Sequence, residues 1–159
     1  MALISKNIFI KYPPEIIFGY LCDIESHIRW SGELSFGLKS IEKVTLGPLD
    51  VGSIFTSIGL LMANDEVMDT STVTYIKDNQ VLSWETISEG PGQRHTFRWS
   101  YNLREERIGT RLIYNLDGRR FSPMPFRLRI PPLLWITDRL IFGREMEAGL
   151  EKIKKSLEG

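Results

Sequence analysis

The sequence predicts an α+β fold in which a curved antiparallel sheet of about seven strands packs against two short helices and one long C-terminal helix. Apolar and polar residues alternate over 95–103 with the period of two that is typical of a strand with one buried face. Similar segments follow one another with short turns between them, which favours antiparallel pairing of neighbours. Residues 132–157 keep the three-four apolar spacing of an amphipathic helix, and only this helix is long enough to cover the sheet.

The elements are predicted in the order of one strand, two short helices, six strands and the long helix. The segment Tyr12-Pro13-Pro14-Glu15 is typical of a helix start, because proline fits the first turn. Turns are indicated by the glycines at both ends of GPLDVG (47–52) and by the KDN segment (77–79). The predicted strands are 3–11, 36–46, 53–62, 67–76, 80–88, 95–103 and 109–116, and the short helices run to Leu21 and over 24–30.

Length and charge restrict the classes of function. We expect one domain over residues 1–159, because a chain of this length buries about two thirds of its unfolded surface without needing a metal or a disulfide. The 20 basic and 20 acidic side chains balance. No global positive field would therefore hold nucleic acid, and we expect no nucleic-acid partner.

The expected location is the cytoplasm. The N-terminal segment lacks the basic start, continuous apolar stretch and small-residue cleavage site of a signal peptide. The single cysteine, Cys22, fits a reducing compartment and has no surrounding motif of a nucleophile. The most apolar run, LLWIT followed by DRLIFG, is interrupted by Asp138 and Arg139 and is too short to span a bilayer.

Large aromatic residues on one face of the central strands indicate a pocket. Each such ring removes roughly 150 to 250 Å² from water, and several in a row exceed the needs of a thin core. For 67–76 we favour a register in which the odd-numbered residues from Val67 to Tyr75 point inward, which a slip of one residue would reverse. The predicted ligand-binding residues are Trp30, Val73, Tyr75, Trp84, Phe97, Trp99, Tyr101, Leu112, Tyr114, Phe121, Met124, Phe142 and Met146.

Four residues are candidates for catalysis. Tyr101 and Tyr114 could donate a hydrogen bond to a ligand carbonyl or protonate an enolate, or their hydroxyls could bond to the backbone or lie at the rim. Asp69, if it points inward, would have a raised pKa and could act as a base. His95 begins a strand at the predicted pocket mouth. His95 and His27 are both more typical of surface or capping histidines, and their isolation predicts no metal site and no cofactor.

Two further segments leave alternatives open. The loop GRRFSPMPFRLRIPP mixes arginines with Phe121, Met124 and Phe126. It fits an entrance for an amphipathic anion, a transient contact with an anionic membrane surface, or a solvated basic loop packed by its own rings. In the last helix, Gly143 and Gly149 indicate either the close approach of a strand or room for a ligand.

The order of IFIKYPPEIIFGYLCDIESHIRW, GPLDVGSIF, VTYIKDNQVLSWET, FRWSYNL and GTRLIYNL resembles the polyketide cyclase/dehydrase and lipid-transport family of the START-like (SRPBCC, Bet v 1-like) superfamily. The resemblance implies a helix-grip fold with a cavity between the sheet and the C-terminal helix, which relatives use for lipids, sterols and polyketides. The residues that carry it occupy structural positions and include no catalytic signature. They are Pro14, Phe18, Leu21, Asp23, Trp30, Gly52 and the GTR turn at 109–111.

Three functions remain open. The first is binding or transport of a hydrophobic small molecule, a lipid, a polyketide or an aromatic ligand, in the internal cavity. The second is a cyclase or dehydratase that uses Tyr101 and Tyr114 for proton transfer, so whether the protein is an enzyme is left open. The third is a protein-interaction module that uses the apolar start of the last helix. The oligomeric state, monomer or homodimer, is also left open.

Overall fold

The computed structural model describes residues 3–31, 37–61, 65–90, 93–118 and 131–159. The predicted α+β class and the predicted order of elements are confirmed. The predicted helix over 24–30 divides into a turn of 3-10 helix, Ile24–Ser26, and α2. The elements are β1 (Ile4–Ile10), α1 (Pro14–Cys22), α2 (His27–Ser31), β2 (Leu38–Lys43), β3 (Ile54–Leu61), β4 (Asp65–Lys77), β5 (Val81–Gly90), β6 (Gln93–Glu106), β7 (Gly109–Asp117) and α3 (Pro131–Glu158).

The seven strands form one antiparallel sheet in the order β1-β7-β6-β5-β4-β3-β2. From β2 to β7 each strand pairs with its neighbour along the chain, and β1 joins the far side of β7, with Ile8 opposite Leu112. The turn between β2 and β3 contains Gly47 and Gly52, both at positive φ (88° and 86°), a conformation that glycine adopts without strain. The turn predicted from GPLDVG is therefore present.

The core lies between the inner face of the sheet and the helices. The C-terminal half of α3 buries Met146, Leu150 and Ile153, as its spacing predicts. Gly143 is where β1 approaches this helix, since a Cβ atom there would lie 3.1 Å from Cε of Lys6. Of the two alternatives for this glycine, contact with a strand residue is the observed one, and the contacting atoms belong to the end of the Lys6 side chain.

The inner face of β4 changes at a bulge. Val67, Ser71 and Val73 are buried, as the favoured register predicts. The register then shifts between Val73 and Tyr75, and Tyr75 is 51% exposed. An extra residue in one strand reverses which side chains face inward after it. The prediction that Tyr75 lines the pocket is therefore wrong.

No helix in the described ranges combines the length and the apolar character needed to cross a membrane.

Candidate ligand-binding cavity

A cavity of about 170 Å³ lies between the sheet and the helices. Side chains from α2, from strands β2 to β7 and from α3 line it. The inner face is occupied here by small residues, Ser57 and Gly59 on β3 and Ser71 on β4, rather than by large apolar side chains. Because such residues leave space above the strands, the cavity opens at this part of the sheet.

An aromatic wall, made of Trp84, Phe97, Trp99 and Tyr114, forms one side of the cavity. Trp84 and Trp99 are directly opposite each other on β5 and β6, and their rings stack with centroids 6.4 Å apart and planes 15° apart. Trp99 and Tyr114 also stack, at 5.7 Å and 21°. Stacked rings of this kind present a flat apolar surface to a ligand.

A polar strip, made of Ser57, Asp69, Ser71, Thr86 and Ser88, forms the other side. The register brings these residues together, since Asp69 is opposite Ser57 on one neighbouring strand and Ser88 on the other. The hydroxyls of Ser71 and Thr86 are hydrogen-bonded at 2.8 Å. The cavity is therefore amphipathic, with polar groups along β3 to β5 and rings along β5 to β7.

Asp69 is the acidic group of the polar strip. Burial raises the pKa of its carboxyl group from 3.8 to about 6, and a hydrogen bond with Ser88 acts in the opposite direction. The Oδ1 atom is buried and has no hydrogen-bond partner in the part of the chain that the structure describes. Asp69 thus faces the cavity on the side of β4 that the favoured register places inward. Its role as a base stays a prediction.

Trp30 supplies a second buried polar atom without a partner. Its side chain is 6% exposed and lines the cavity from α2. The indole Nε1 donor has no acceptor among the described residues. A buried polar group without a partner costs about 1 to 3 kcal/mol, which a ligand or a water could recover. Two residues that line the cavity, Trp30 and Asp69, thus each carry a buried polar atom without a partner among the described residues.

His27 has the expected capping role, because it bonds a carbonyl in the last turn of α1, but it is buried rather than at the surface. It is 4% exposed and lines the cavity, and its Nε2 atom donates to the carbonyl oxygen of Leu21 at 2.7 Å. Burial lowers the pKa of the imidazole from 6.5 to about 4, although the hydrogen bond with Leu21 and the charge of Asp23 raise it. Its position three residues before Trp30, on the same side of the short helix, is the signal that could have located it.

His27 is expected to weaken the fold as the pH falls. Its pKa is lower in the folded protein, so between pH 6.5 and 4 the unfolded chain binds more protons and stability is lost on acidification. His27→Gln keeps a donor for the Leu21 carbonyl but does not titrate. The free energy of unfolding is measured by urea denaturation at pH 7.5 and at pH 5. On this acidification the wild type should lose about 2 kcal/mol more than the variant. A difference that does not vary with pH would contradict the neutral imidazole.

Seven predicted ligand-binding residues lie at the cavity, and several others do not. Tyr101 is fully buried behind Tyr114, with ring centroids 4.5 Å apart, and does not line the cavity. Val73 and Leu112 belong to the core beneath it. The seven at the cavity are Trp30, Trp84, Phe97, Trp99, Tyr114, Phe142 and Met146.

The four candidate catalytic residues do not all line the cavity. Burial raises the pKa of both the Tyr101 and Tyr114 phenols, which keeps both neutral at physiological pH. A hydrogen bond with the Tyr101 hydroxyl acts in the opposite direction on the pKa of Tyr114, so the two phenols interact with each other. His95 is partly buried opposite Ser88 and does not line the cavity. Of the four candidates, Asp69 and Tyr114 contact the same space.

Some predictions fall outside the described residues. Phe121 and Met124, with the rest of the basic loop, are among them, so its role as an entrance stays a prediction. The side chains at the apolar start of α3 lie outside the described ones, and further along the helix Leu140 is 59% exposed while Phe142 is buried at the cavity. Within the described ranges, no group of three or more His, Cys, Asp or Glu side chains is placed to hold a metal ion.

Residues that the sequence analysis missed include Ser57, Gly59 and Ser88. All three line the cavity. Alternation from Phe55 places Ser57 and Gly59 on the inner face of β3, so the pattern contained this signal. Serine and glycine are also common in strands exposed to solvent, so these residue types by themselves do not indicate a cavity.

Comparison with solved structures places this geometry in a known fold. A START superfamily protein from Mycobacterium smegmatis matches 99% of this chain and 98% of its own, with a TM-score of 0.67 and 16% identity. The fold is START-like. A conserved protein from Geobacillus kaustophilus also matches, over 97% of this chain and 96% of its own, with a TM-score of 0.69 and 15% identity.

A third match is to DynU16, a protein in the dynemicin biosynthetic locus. The match covers 99% of this chain but 48% of DynU16, with a TM-score of 0.62 and 12% identity. Neither a family model nor a curated protein matches the sequence. At these identities the likeness establishes the START-like fold, and function has to be argued from the site.

Proposed function

We propose that the protein binds, and in that way stores or carries, a small and mainly apolar molecule in the cavity. The observation that carries the proposal is the combination of the aromatic wall with two buried polar atoms that lack partners among the described residues, Trp30 Nε1 and Asp69 Oδ1. A core needs neither, since unpartnered polar atoms are costly. A ligand that stacks on the wall and hydrogen-bonds to these atoms would remove the cost.

The volume of the cavity limits the ligand. An engineered protein cavity of roughly 150 Å³ accepts benzene, while pockets for larger drug-sized ligands span about 300 to 1,000 Å³. At about 170 Å³ the cavity matches one ring or a short chain. Among the predicted classes, the cavity therefore favours a ligand whose enclosed part is a single ring, as in a small aromatic molecule.

Native mass spectrometry of freshly purified protein, compared with its denatured mass, tests the binding function. We expect a retained mass increment, or one that appears after incubation with one-ring aromatic compounds. Tryptophan fluorescence should change on binding, because Trp84 and Trp99 form the wall. If one-ring aromatics, fatty acids, sterols and polyketides all leave both the mass and the fluorescence unchanged, the cavity is not a binding site.

A proton-transfer enzyme of the cyclase or dehydratase type is the second candidate. It is favoured by Asp69, because a carboxyl group with a pKa of about 6 that faces a cavity suits a general base near neutral pH. Tyr114 is the phenol within reach of the same space. A bound compound that is converted by the wild type, and bound but not converted by Asp69→Asn or Tyr114→Phe, would favour this candidate over a pure carrier.

A further inference from the structure

The carboxyl group of Asp69 is placed to recognise a particular chemical group. It lies in the polar strip between Ser57 and Ser88, and its Oδ2 atom would lie 3.8 Å from a Cβ atom at Gly59. While Ser88 hydrogen-bonds to the carboxyl group, Oδ1 is buried without a partner in the described residues. An ionised carboxylate only accepts hydrogen bonds. The missing partner is therefore a donor.

The other titratable side chains at the cavity do not favour an anionic ligand. In the described ranges these are His27, Tyr114 and Glu145, and no lysine or arginine lines the cavity. His27 is neutral above about pH 4 because burial lowers its pKa. Tyr114 is neutral because burial raises its pKa. A ligand carboxylate near Asp69 would meet a like charge in a poorly solvated site.

Given the binding function proposed above, we infer that the ligand is a one-ring aromatic molecule whose polar substituent, a hydroxyl or a protonated amine, donates a hydrogen bond to the Asp69 carboxylate. The ring lies against the aromatic wall, where Trp84 and Trp99 are stacked. A protonated amine would also interact favourably with the faces of these rings. Both substituents are hydrogen-bond donors, and a comparison of benzyl alcohol with benzylamine distinguishes them.

Four matched compounds test this inference: benzyl alcohol, benzylamine, toluene and benzoate. Their affinities are measured at pH 8, where Asp69 is ionised, by tryptophan fluorescence or calorimetry. We expect the alcohol, the amine or both to bind about tenfold or more tightly than toluene, because a hydrogen bond to a charged group is worth at least that factor. Benzoate should bind least tightly.

Variants at position 69 assign the preference to this carboxylate. Asp69→Val removes the acceptor and should lower the affinity for the donor ligands to that of toluene, whose own affinity should not fall. Asp69→Asn keeps an acceptor oxygen but no charge, so it should weaken benzylamine about tenfold and benzyl alcohol much less. Asp78→Asn, in the exposed β4–β5 turn, is the matched control and should change no affinity. Circular dichroism confirms that each variant is folded.

The outcomes separate this inference from the proposed function. If toluene or benzoate binds the wild type as tightly as both donor ligands, or if Asp69→Val leaves the donor preference intact, the inference is overturned while binding itself stands. If none of the four compounds binds and longer apolar ligands also fail, both are overturned. Donor selectivity that is lost in Asp69→Val and retained in Asp78→Asn supports the inference.

Discussion

Replacing Gly59 by phenylalanine is expected to abolish ligand binding while leaving the protein folded. Gly59 lies on the inner face of β3 and lines the cavity. A Cβ atom there would approach Asp69, Gly37 and Val67 no closer than 3.8 Å, which is ordinary van der Waals contact. A ring at this position would therefore occupy the ligand space without displacing backbone. We expect at least about a hundredfold loss of affinity, equivalent to roughly 2.8 kcal/mol.

Ile58→Phe is the matched control for this prediction. Ile58 is the preceding residue of β3, is 39% exposed, and faces the opposite side of the sheet because side chains alternate along a strand. It adds an aromatic ring to the same strand outside the cavity. Fluorescence titration should show wild-type affinity for Ile58→Phe and no saturable binding for Gly59→Phe. Equal affinities in the two variants would place the ligand elsewhere.

Replacing Gly109 by alanine is expected to destabilise the fold by about 1 to 3 kcal/mol or more. Gly109 is the first residue of β7, where the sheet packs against the end of β1. An added Cβ atom would lie 2.3 Å from the Ile10 carbonyl oxygen and 2.8 Å from Cζ of Phe9. Backbone cannot move away as a flexible side chain can, so β1 and β7 must separate. Urea denaturation measures the loss as a lower midpoint.

Gly19→Ala is the control for this substitution. Gly19 is exposed on α1, and no atom lies within 4 Å of a Cβ atom placed there. Alanine has the higher helix propensity, so this variant should gain up to about 1 kcal/mol. If the change from glycine to alanine stabilises the protein at position 19 and destabilises it at position 109, the close backbone contact at Gly109 is the cause of the loss. A loss at Gly109 no larger than a few tenths of a kcal/mol would contradict this packing.

The sequence alone does not show why glycine, threonine and arginine occur at positions 109–111, the GTR segment. It marks the resemblance to the START-like superfamily, but its pattern gives no reason for the three residues. In the structure Gly109 allows the close approach, the Thr110 hydroxyl donates to the Tyr12 carbonyl oxygen at 2.8 Å, and Arg111 pairs with Glu106 at 3.0 Å. All three residues hold β7 against its neighbours, so their role is structural.

Hydrophobic periodicity was sufficient to predict the fold. Alternation over 95–103 and three-four spacing over 132–157 are local properties of the chain, and they determine which face of each element is buried. The inward face of β4 up to Val73 followed from the same rule. The outward position of Tyr75 did not follow from this rule, because a β-bulge depends on how two strands pair. It leaves no mark in the alternation of apolar and polar residues along a single strand.

The sequence by itself determined the element order, the α+β class and the concentration of rings on one sheet face, because these follow from local patterns of apolar residues. Only the tertiary structure decided which of those rings meet a cavity. It buried Tyr101 behind Tyr114, brought His27 inside, and left Asp69 and Trp30 each with a polar atom that lacks a partner in the described chain. Burial and hydrogen-bond satisfaction depend on neighbours distant in sequence, and they give these residues their chemistry.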